Sequence, residues 1–295
     1  MLTARQFAEQ QQALGRSIHE HDGVHWEEVY PFYCKPAFPY QAIARGSSRP
    51  AWLRSVLGYS HRVEDPAQGN RSVPAMLLTR DRLEGFGLQS LPQKKRNNVR
   101  RALENCEVRP IDDLEPLLER IREINASQAE RHEKGIGAET PASRYVAEAD
   151  SWREQMRREF ALEGREWWGA FAGDVLAAYL RTYQVDGVRI IEQAKTDTAC
   201  MKHYPMDALY FSVLSRAAAD PACRLIINGR PQHPSLNHFK EQFLFLPGSL
   251  PFYSSSAQLV ECGKRIWMGF ARFRQIRRAR EAPPAADAAP NPGSP

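Results

Sequence analysis

The sequence has no long apolar run. The longest is six residues, Val175–Leu180, whereas a helix needs about 20 to cross a bilayer. The opening MLTARQFAEQQQALGR holds no apolar stretch of signal-peptide length, so secretion is not expected. Cysteine is sparse and scattered: Cys34, Cys106, Cys200, Cys223 and Cys262. No two lie close enough for a Cys-x-x-Cys metal knuckle, and the pattern argues against a disulfide framework. A reducing cytoplasm and no bound metal are therefore expected. An excess of one charge sign is also missing from most of the chain. Lys264–Arg280 holds seven basic residues and no acid, so the formal net charge of +5 falls to −2 without it. A basic balance so localised points to one basic element and away from a protein that coats nucleic acid.

What is present is ordinary for a soluble globular protein: 42% hydrophobic and 25% charged residues in 295. That length allows one large or two small domains. Residues 1–24 read as an N-terminal helix or arm. Residues 25–90 read as short strands and turns, because Pro31, Pro36 and Pro39 forbid a long helix. Residues 91–262 carry the clearest pattern. A helix is expected over Lys94–Asn105 and a short strand over Glu107–Ile111. Helices over Leu114–Glu133 and Pro141–Leu162 follow, the first from apolar residues at 114, 117, 118, 121 and 124. Three strands come next, Glu166–Ala172, Val175–Val185 and Val188–Lys195, joined by the tight turns Gly173-Asp174 and Asp186-Gly187. A helix over Met206–Ala219, a strand over Arg224–Asn228, a helix over Leu236–Phe243 and strands near Pro251–Val260 complete it. Residues 263–281 read as a basic amphipathic helix, and the Pro/Ala-rich residues 282–295 as a disordered tail. The fold class is α/β (α+β): a mixed, mostly antiparallel sheet that splays where a strand leaves for a helix, flanked by helices.

Four segments, in this order, resemble the GNAT superfamily of acyltransferases, in particular its FemAB-like and single-domain N-acetyltransferase branch. LPQKKRNNVRRALENCEVRPI resembles the basic helix-strand element of FemAB-like members. WWGAFAGDVLAAYLRTYQVDGVRIIEQAKTD resembles the paired central strands. YPMDALYFSVLSRAAADPACRLIINGR resembles the helix and strand after the cofactor loop, and SLNHFKEQFLFLP the closing motif. The resemblance covers residues 90–256 well and 25–90 loosely, as a reduced first domain. Two departures stand out. The loop TDTACMKHYP (196–205) contains no glycine where CoA-dependent members carry a phosphate-cradling Q/R-x-x-G-x-G/A, and Leu244 stands where the closing motif usually has glycine.

The resemblance implies N-acyl transfer by direct attack of an amine on an acyl-CoA (acetyl-CoA included) or acyl-carrier thioester. Its alternatives are an aminoacyl-tRNA-dependent peptide-bond former and a non-catalytic binding protein with the same fold. It places cofactor contacts at Gln193, Ala194, Lys195, Thr196, Tyr204, Met206 and Asp207, with a main-chain oxyanion donor near 193–195. Lys240 of the closing motif is the expected catalytic group, an ammonium for the oxyanion or the leaving group. His203 is a candidate base, because its ordinary pKa is near neutral. Asn228, Arg230 and His233, at the end of the fifth strand, are candidate acceptor contacts. His233 and His238 are poorly spaced for zinc. Cys200 lacks a sequence arrangement that would make it a nucleophile. Glu192 and Lys195, three apart on one strand, are expected on opposite faces. Tyr179 and Tyr183 read as a packing pair, with Arg181 on the other face. The basic run Lys94, Lys95, Arg96, Arg100 and Arg101 reads mainly as a solvated face. The expected partners are a small-molecule, peptide or glycan amine, an acyl carrier protein or tRNA, and an anionic membrane contacted through Lys264–Arg280. The expected location is cytoplasmic, or peripheral at the inner face of the membrane.

Overall fold

The computed structural model describes residues 1–134 and 140–256. The expected basic helix, the tail and the strand end at Val260 lie outside the described residues. The chain opens with α1 (Ala4–Ala13), β1 (Ile18–His21), β2 (Val24–Tyr30), β3 (Tyr33–Pro36), β4 (Gly58–Arg62) and β5 (Arg71–Thr79). Then come α2 (Arg80–Leu83), α3 (Gln93–Asn105), β6 (Glu107–Pro110), α4 (Leu118–Glu133), α5 (Ala142–Ala147) and α6 (Ala149–Phe160). The last part runs β7 (Arg165–Ala172), β8 (Val175–Val185), β9 (Val188–Thr196), α7 (Pro205–Ala219), β10 (Leu225–Ile227), α8 (Pro234–Glu241) and β11 (Leu246–Ser254).

All strands join one sheet in the order β1-β2-β3-β4-β11-β5-β10-β9-β8-β7-β6. β3–β4 and β9–β10 are parallel pairs, and every other neighbour is antiparallel. β5, from the N-terminal part, sits between β10 and β11. The β8–β9 hairpin turns through Asp186 (φ 46°) and Gly187 (φ 79°), two left-handed residues in the tight turn whose twist matches the strands. One face of the sheet carries α7, with Leu209, Val213 and Leu214 packed on Trp168, Leu180 and Ile226. The other carries α4, with Ile121 and Ile124 on Trp167, Leu176 and Tyr179. α1 starts with a reciprocal cap between Thr3 and Gln6. It buries Phe7 against Tyr183 (5.2 Å, stacked) and Phe38 (5.5 Å, edge-on), a burial that contributes about 2 kcal/mol.

Four local expectations are corrected. Pro141–Leu162 is two helices, broken at Glu148 (φ −112°, ψ 30°). Tyr145 packs with Ala129 and Ala142, whereas Met156 packs with Ile121 and Trp167, and the bend lets each helix face its own cluster. β11 begins at Leu246, ahead of Pro251. β4 pairs only with Phe252–Ser254, and the Pro251 carbonyl accepts from Val63 N–H on that side. Pro247 and Pro251, four apart, thus turn their missing N–H groups toward an edge without a strand partner. Arg181 shares the face of Tyr179 and Tyr183, as residues two apart in a strand must. Glu192 reaches Arg165 and Arg181, on the face of Gln193 and Lys195. A β-bulge at this point, where Arg181 pairs with Gln193 but Thr182 with Ile191, breaks the period of two that predicted opposite faces.

Candidate functional site

The sheet forks between β9 and β10. The two pair only over Val188–Ile190 and Leu225–Ile227. Beyond that the chain follows β5: Asn228 N–H donates to Met76 O and Met76 N–H to Gly229 O, both at 2.9 Å. β9 instead continues with β8 as far as Thr196. Its other edge is therefore left without a strand partner past the branch.

Which β9 amides face this edge follows from the alternation of strand N–H groups. Asp197 N–H donates to Ala177 O on β8 at 3.0 Å. Counting back by twos, Lys195 and Gln193 also aim at β8, and Thr196 and Ala194 aim into the fork. Thr196 N–H is taken by Gln128 Oε1 at 2.9 Å. Ala194 N–H is the donor left beside the branch. The bulge at Glu192 produces this: without it the alternation would aim Gln193 into the fork instead.

Lys240 lies at the same branch. It is buried, and its Nζ donates to Asn228 O at 2.8 Å. Burial lowers its pKa from 10.5 to about 8. Asn228 is buried too, and its Nδ2 donates to Tyr210 OH at 3.0 Å. Burial pushes the Tyr210 phenol up to about 12, with the Asn228 bond pulling the other way. Asn228 thus ties Lys240 to α7 rather than projecting its amide outward. Arg230 is exposed. His233 caps α8, accepting from Ser235 N–H. His203 is half-buried at the end of a short 3-10 turn, Thr198–His203. Its carbonyl lies 3.7 Å from Cys106 Sγ, and no carboxylate among the described residues orients its ring. The structure therefore brings Asn228 and Lys240 together at the branch, with Ala194 farther along the free edge of β9 and His203 on the 3-10 turn that follows it.

The start of α7 holds a feature missed by the sequence reading. Lys95 and Asp207 form a buried ion pair at 2.5 Å, with side chains 3% and 9% exposed. Lys95 Nζ also lies 4.4 Å and 4.9 Å from the ring centres of Phe239 and Phe243. Burial raises the Asp207 carboxyl, and Lys95 partly offsets this. A signal was available: Lys95, Val99 and Ala102, at i, i+4 and i+7, form the buried stripe of α3. Lys94, Arg100 and Arg101 do stay exposed.

This helix start does not fit a CoA pyrophosphate. Tyr204 carries its side chain in the left-handed conformation (φ 56°), and Pro205 has no N–H. The N–H groups of Asp207 and Ala208 turn back onto Tyr204 O at 2.9 and 3.3 Å. Asp207 adds a carboxylate where an anion would bind. The loop before it is closed as well. Asp197 bonds Arg120, Ser127 Oγ and Ala199 N–H. Burial alone would raise its carboxyl, and these bonds hold it below the usual range. Burial, and then Asp197, push the Cys200 thiol up, the opposite of what a thiolate nucleophile needs.

On the α4 side of β9, a cavity of about 250 Å³ is lined by Asn125, Trp152, Met156, Glu159, Arg181 and Gln193. Asn125 Nδ2 donates to Tyr179 OH at 2.8 Å, and Tyr179 OH to Gln193 Oε1 at 3.1 Å. Arg181 pairs with Glu159 and lies over the Trp167 ring at 4.8 Å. The Ala194 amide thus opens between this polar cavity and α7. No group of three or more potential metal ligands occurs among the described residues, and no helix there is long and apolar enough to cross a membrane.

No family model matches the sequence, and no curated protein matches it. Solved structures do. FemX superposes with a TM-score of 0.56 at 10% identity, over 87% of this chain and 92% of that one. The C-terminal domain of a putative lysylphosphatidylglycerol synthetase from Agrobacterium fabrum gives 0.53 at 8% identity, over 86% and 93%. The L-PGS of Bacillus licheniformis gives 0.50 at 11%, over 82% and 84%. The chain has the GNAT-like fold of these structures. Identities this low establish the fold alone.

Proposed function

We propose that the protein transfers an activated acyl group directly to an amine, at the fork between β9 and β10. The observation that carries this is the unpaired Ala194 N–H facing the branch where Lys240 sits. The amine nitrogen attacks the acyl carbonyl carbon and a C–N bond forms. The oxyanion is held by Ala194 N–H and the Lys240 ammonium. Collapse breaks the bond to the carrier, Lys240 protonates the leaving atom, and the acceptor nitrogen releases its proton to water. The acceptor enters over the α4 face, where Glu159 and Gln193 offer oxygen acceptors to an amine.

For the donor, the geometry favours an aminoacyl ester of tRNA over acyl-CoA. The Asp207–Lys95 pair stands where a CoA pyrophosphate would bind. The neighbouring α3 and the 196–205 loop expose Lys94, Arg100, Arg101 and Lys202, a surface suited to a phosphate backbone. One fold neighbour is, by its name, a putative lysylphosphatidylglycerol synthetase, whose product carries an aminoacyl group.

The test supplies charged tRNA or acyl-CoA together with a mixed amine panel. Acyl transfer from tRNA, weakening steeply with salt, is expected. Ala194→Pro removes the amide hydrogen at an edge position, where proline is tolerated, and should slow transfer about 10²–10³-fold with the fold kept, as circular dichroism and urea unfolding verify. Turnover from acyl-CoA alone overturns the donor assignment. No transfer from either donor, or full activity in Ala194→Pro, overturns the transferase reading.

A further inference from the structure

A strand edge without a partner is a template for any extended chain that carries amides. Past the branch β9 has such an edge, and the alternation of its N–H groups turns those of Ala194 and Thr196 into the fork. Residues two apart on a strand lie about 6.7 Å from each other, the spacing at which a pairing chain takes both amides. The second of these amides is already occupied. Gln128 reaches across from α4, and its Oε1 accepts from Thr196 N–H at 2.9 Å. Both residues are buried, each 8% exposed.

Gln128 is held in this position by its neighbours. Ser127 Oγ accepts from Thr198 N–H at 3.0 Å and donates to Asp197 Oδ1 at 3.0 Å. Thr198 Oγ1 donates to Ser127 O at 3.1 Å, and Arg131, one turn further along α4, donates to that same hydroxyl oxygen at 3.1 Å. Arg120, nearer the start of α4, pairs with Asp197. α4 is thus stitched to the end of β9, and the stitching fixes the Gln128 backbone against the strand. A glutamine side chain ends in an amide like that of a peptide. Gln128 therefore stands in for the strand partner that Thr196 lacks.

We infer that Gln128 sets the class of acyl donor by sealing the β9 edge against pantetheine thioesters, those of carrier proteins as well as of CoA. This rests on the reading of the fork as the acyl-transfer site. The pantetheine arm is an extended chain with two amides behind its sulfur. With the acyl carbonyl at Ala194 N–H, an arm running along β9 toward the start of α7 meets Thr196 next and finds its amide taken. To pair there it must expel the Gln128 carbonyl, which then loses a buried hydrogen bond. An aminoacyl ester hangs from a ribose, which offers hydroxyls and no amide chain, and asks nothing of Thr196. The Lys95–Asp207 pair opposes the pyrophosphate of CoA. Gln128 opposes the arm itself, which a carrier protein presents without a pyrophosphate.

The experiment measures binding of S-acetylpantetheine, which carries the arm without phosphate or nucleotide, to the full-length protein by isothermal titration. Gln128→Ala bares Thr196 N–H and should bind it at least about fivefold more tightly than the natural protein, the gain from one recovered hydrogen bond. Gln128→Glu keeps an acceptor oxygen at the same reach and should bind no better than the natural protein. Circular dichroism verifies both folds, and if Gln128→Ala does not fold, Gln128→Asn, one methylene shorter than glutamine, is held to the same gain. Hydrogen exchange in the natural protein gives a second reading. The Thr196 amide should exchange as slowly as those of Gln193 and Lys195, which aim at β8, and the Ala194 amide at least about tenfold faster. No gain on shortening Gln128, an equal gain in Gln128→Glu, or a Thr196 amide as fast as that of Ala194 each overturns the inference. Neither measurement reads turnover, so a failure here and a failure of acyl transfer are separate results.

Discussion

Replacing Lys240 with methionine tests the site without needing its substrate. Lys240 is buried, and its pKa drops from 10.5 to about 8. At 1.36 kcal/mol per pKa unit, that corresponds to about 3 kcal/mol. Solvent screening in an open fork reduces it to about 1–2 kcal/mol. Methionine keeps the volume and removes this cost, but it leaves Asn228 O without its donor, a loss of about 1–3 kcal/mol. The two nearly cancel, so stability near neutral pH should change by no more than about 1 kcal/mol. The pH dependence should differ clearly. Between about pH 8 and 10.5, the unfolded chain keeps a proton that the folded one has released. Lys240 therefore contributes a rise in stability with pH across that window, by about 1–2 kcal/mol. Buried thiols such as Cys34 and Cys106, pushed up to about 11, act in the opposite direction in both proteins, so the Lys240 contribution is read as the natural protein minus Lys240→Met. Urea titrations followed by tryptophan fluorescence measure both slopes. A difference between the two slopes that is absent or of opposite sign would refute the buried ammonium. Transfer activity should fall about 10²–10³-fold in the same variant.

Asp207→Asn strands the Lys95 charge in the core. The expected loss is about 2–4 kcal/mol, because the Phe239 and Phe243 faces soften the usual cost of a broken buried pair. Lys95→Met with Asp207→Leu should recover most of it in urea unfolding, and failure to do so would show that the pair is not the cause. Gly187→Ala should cost about 2–3 kcal/mol and lower Tm on the order of 5–10 °C. Gly187 has φ +79°, and a Cβ would lie 2.7 Å from Ala222 O. A variant that melts with the natural protein would exclude this turn.

The parts of the fold legible in the sequence are those set by local chemistry. The turns at Gly173-Asp174 and Asp186-Gly187 and the strands they join appear where the residues predict them, and the helix expected over Met206–Ala219 starts one residue earlier, at Pro205. Each depends on backbone preference or on periodicity within a few residues. Misread elements depend on distant partners. The break at Glu148 serves two separate apolar clusters. The face of Glu192 depends on a bulge against β8. Lys95 is charged, so it reads as solvated until Asp207, more than a hundred residues away, supplies its counter-charge.

By itself, the sequence determined the order of elements from β6 onward and the absence of a long apolar span. Only the tertiary structure decided that the chain past β10 stays with β5 and parts from β9, which amide that parting bares, and that the first turn of α7 is already neutralised by a lysine. Periodicity and turn chemistry act over a few residues of chain. Strand partnership and the pairing of buried charges act through space, between residues that sequence order does not bring together.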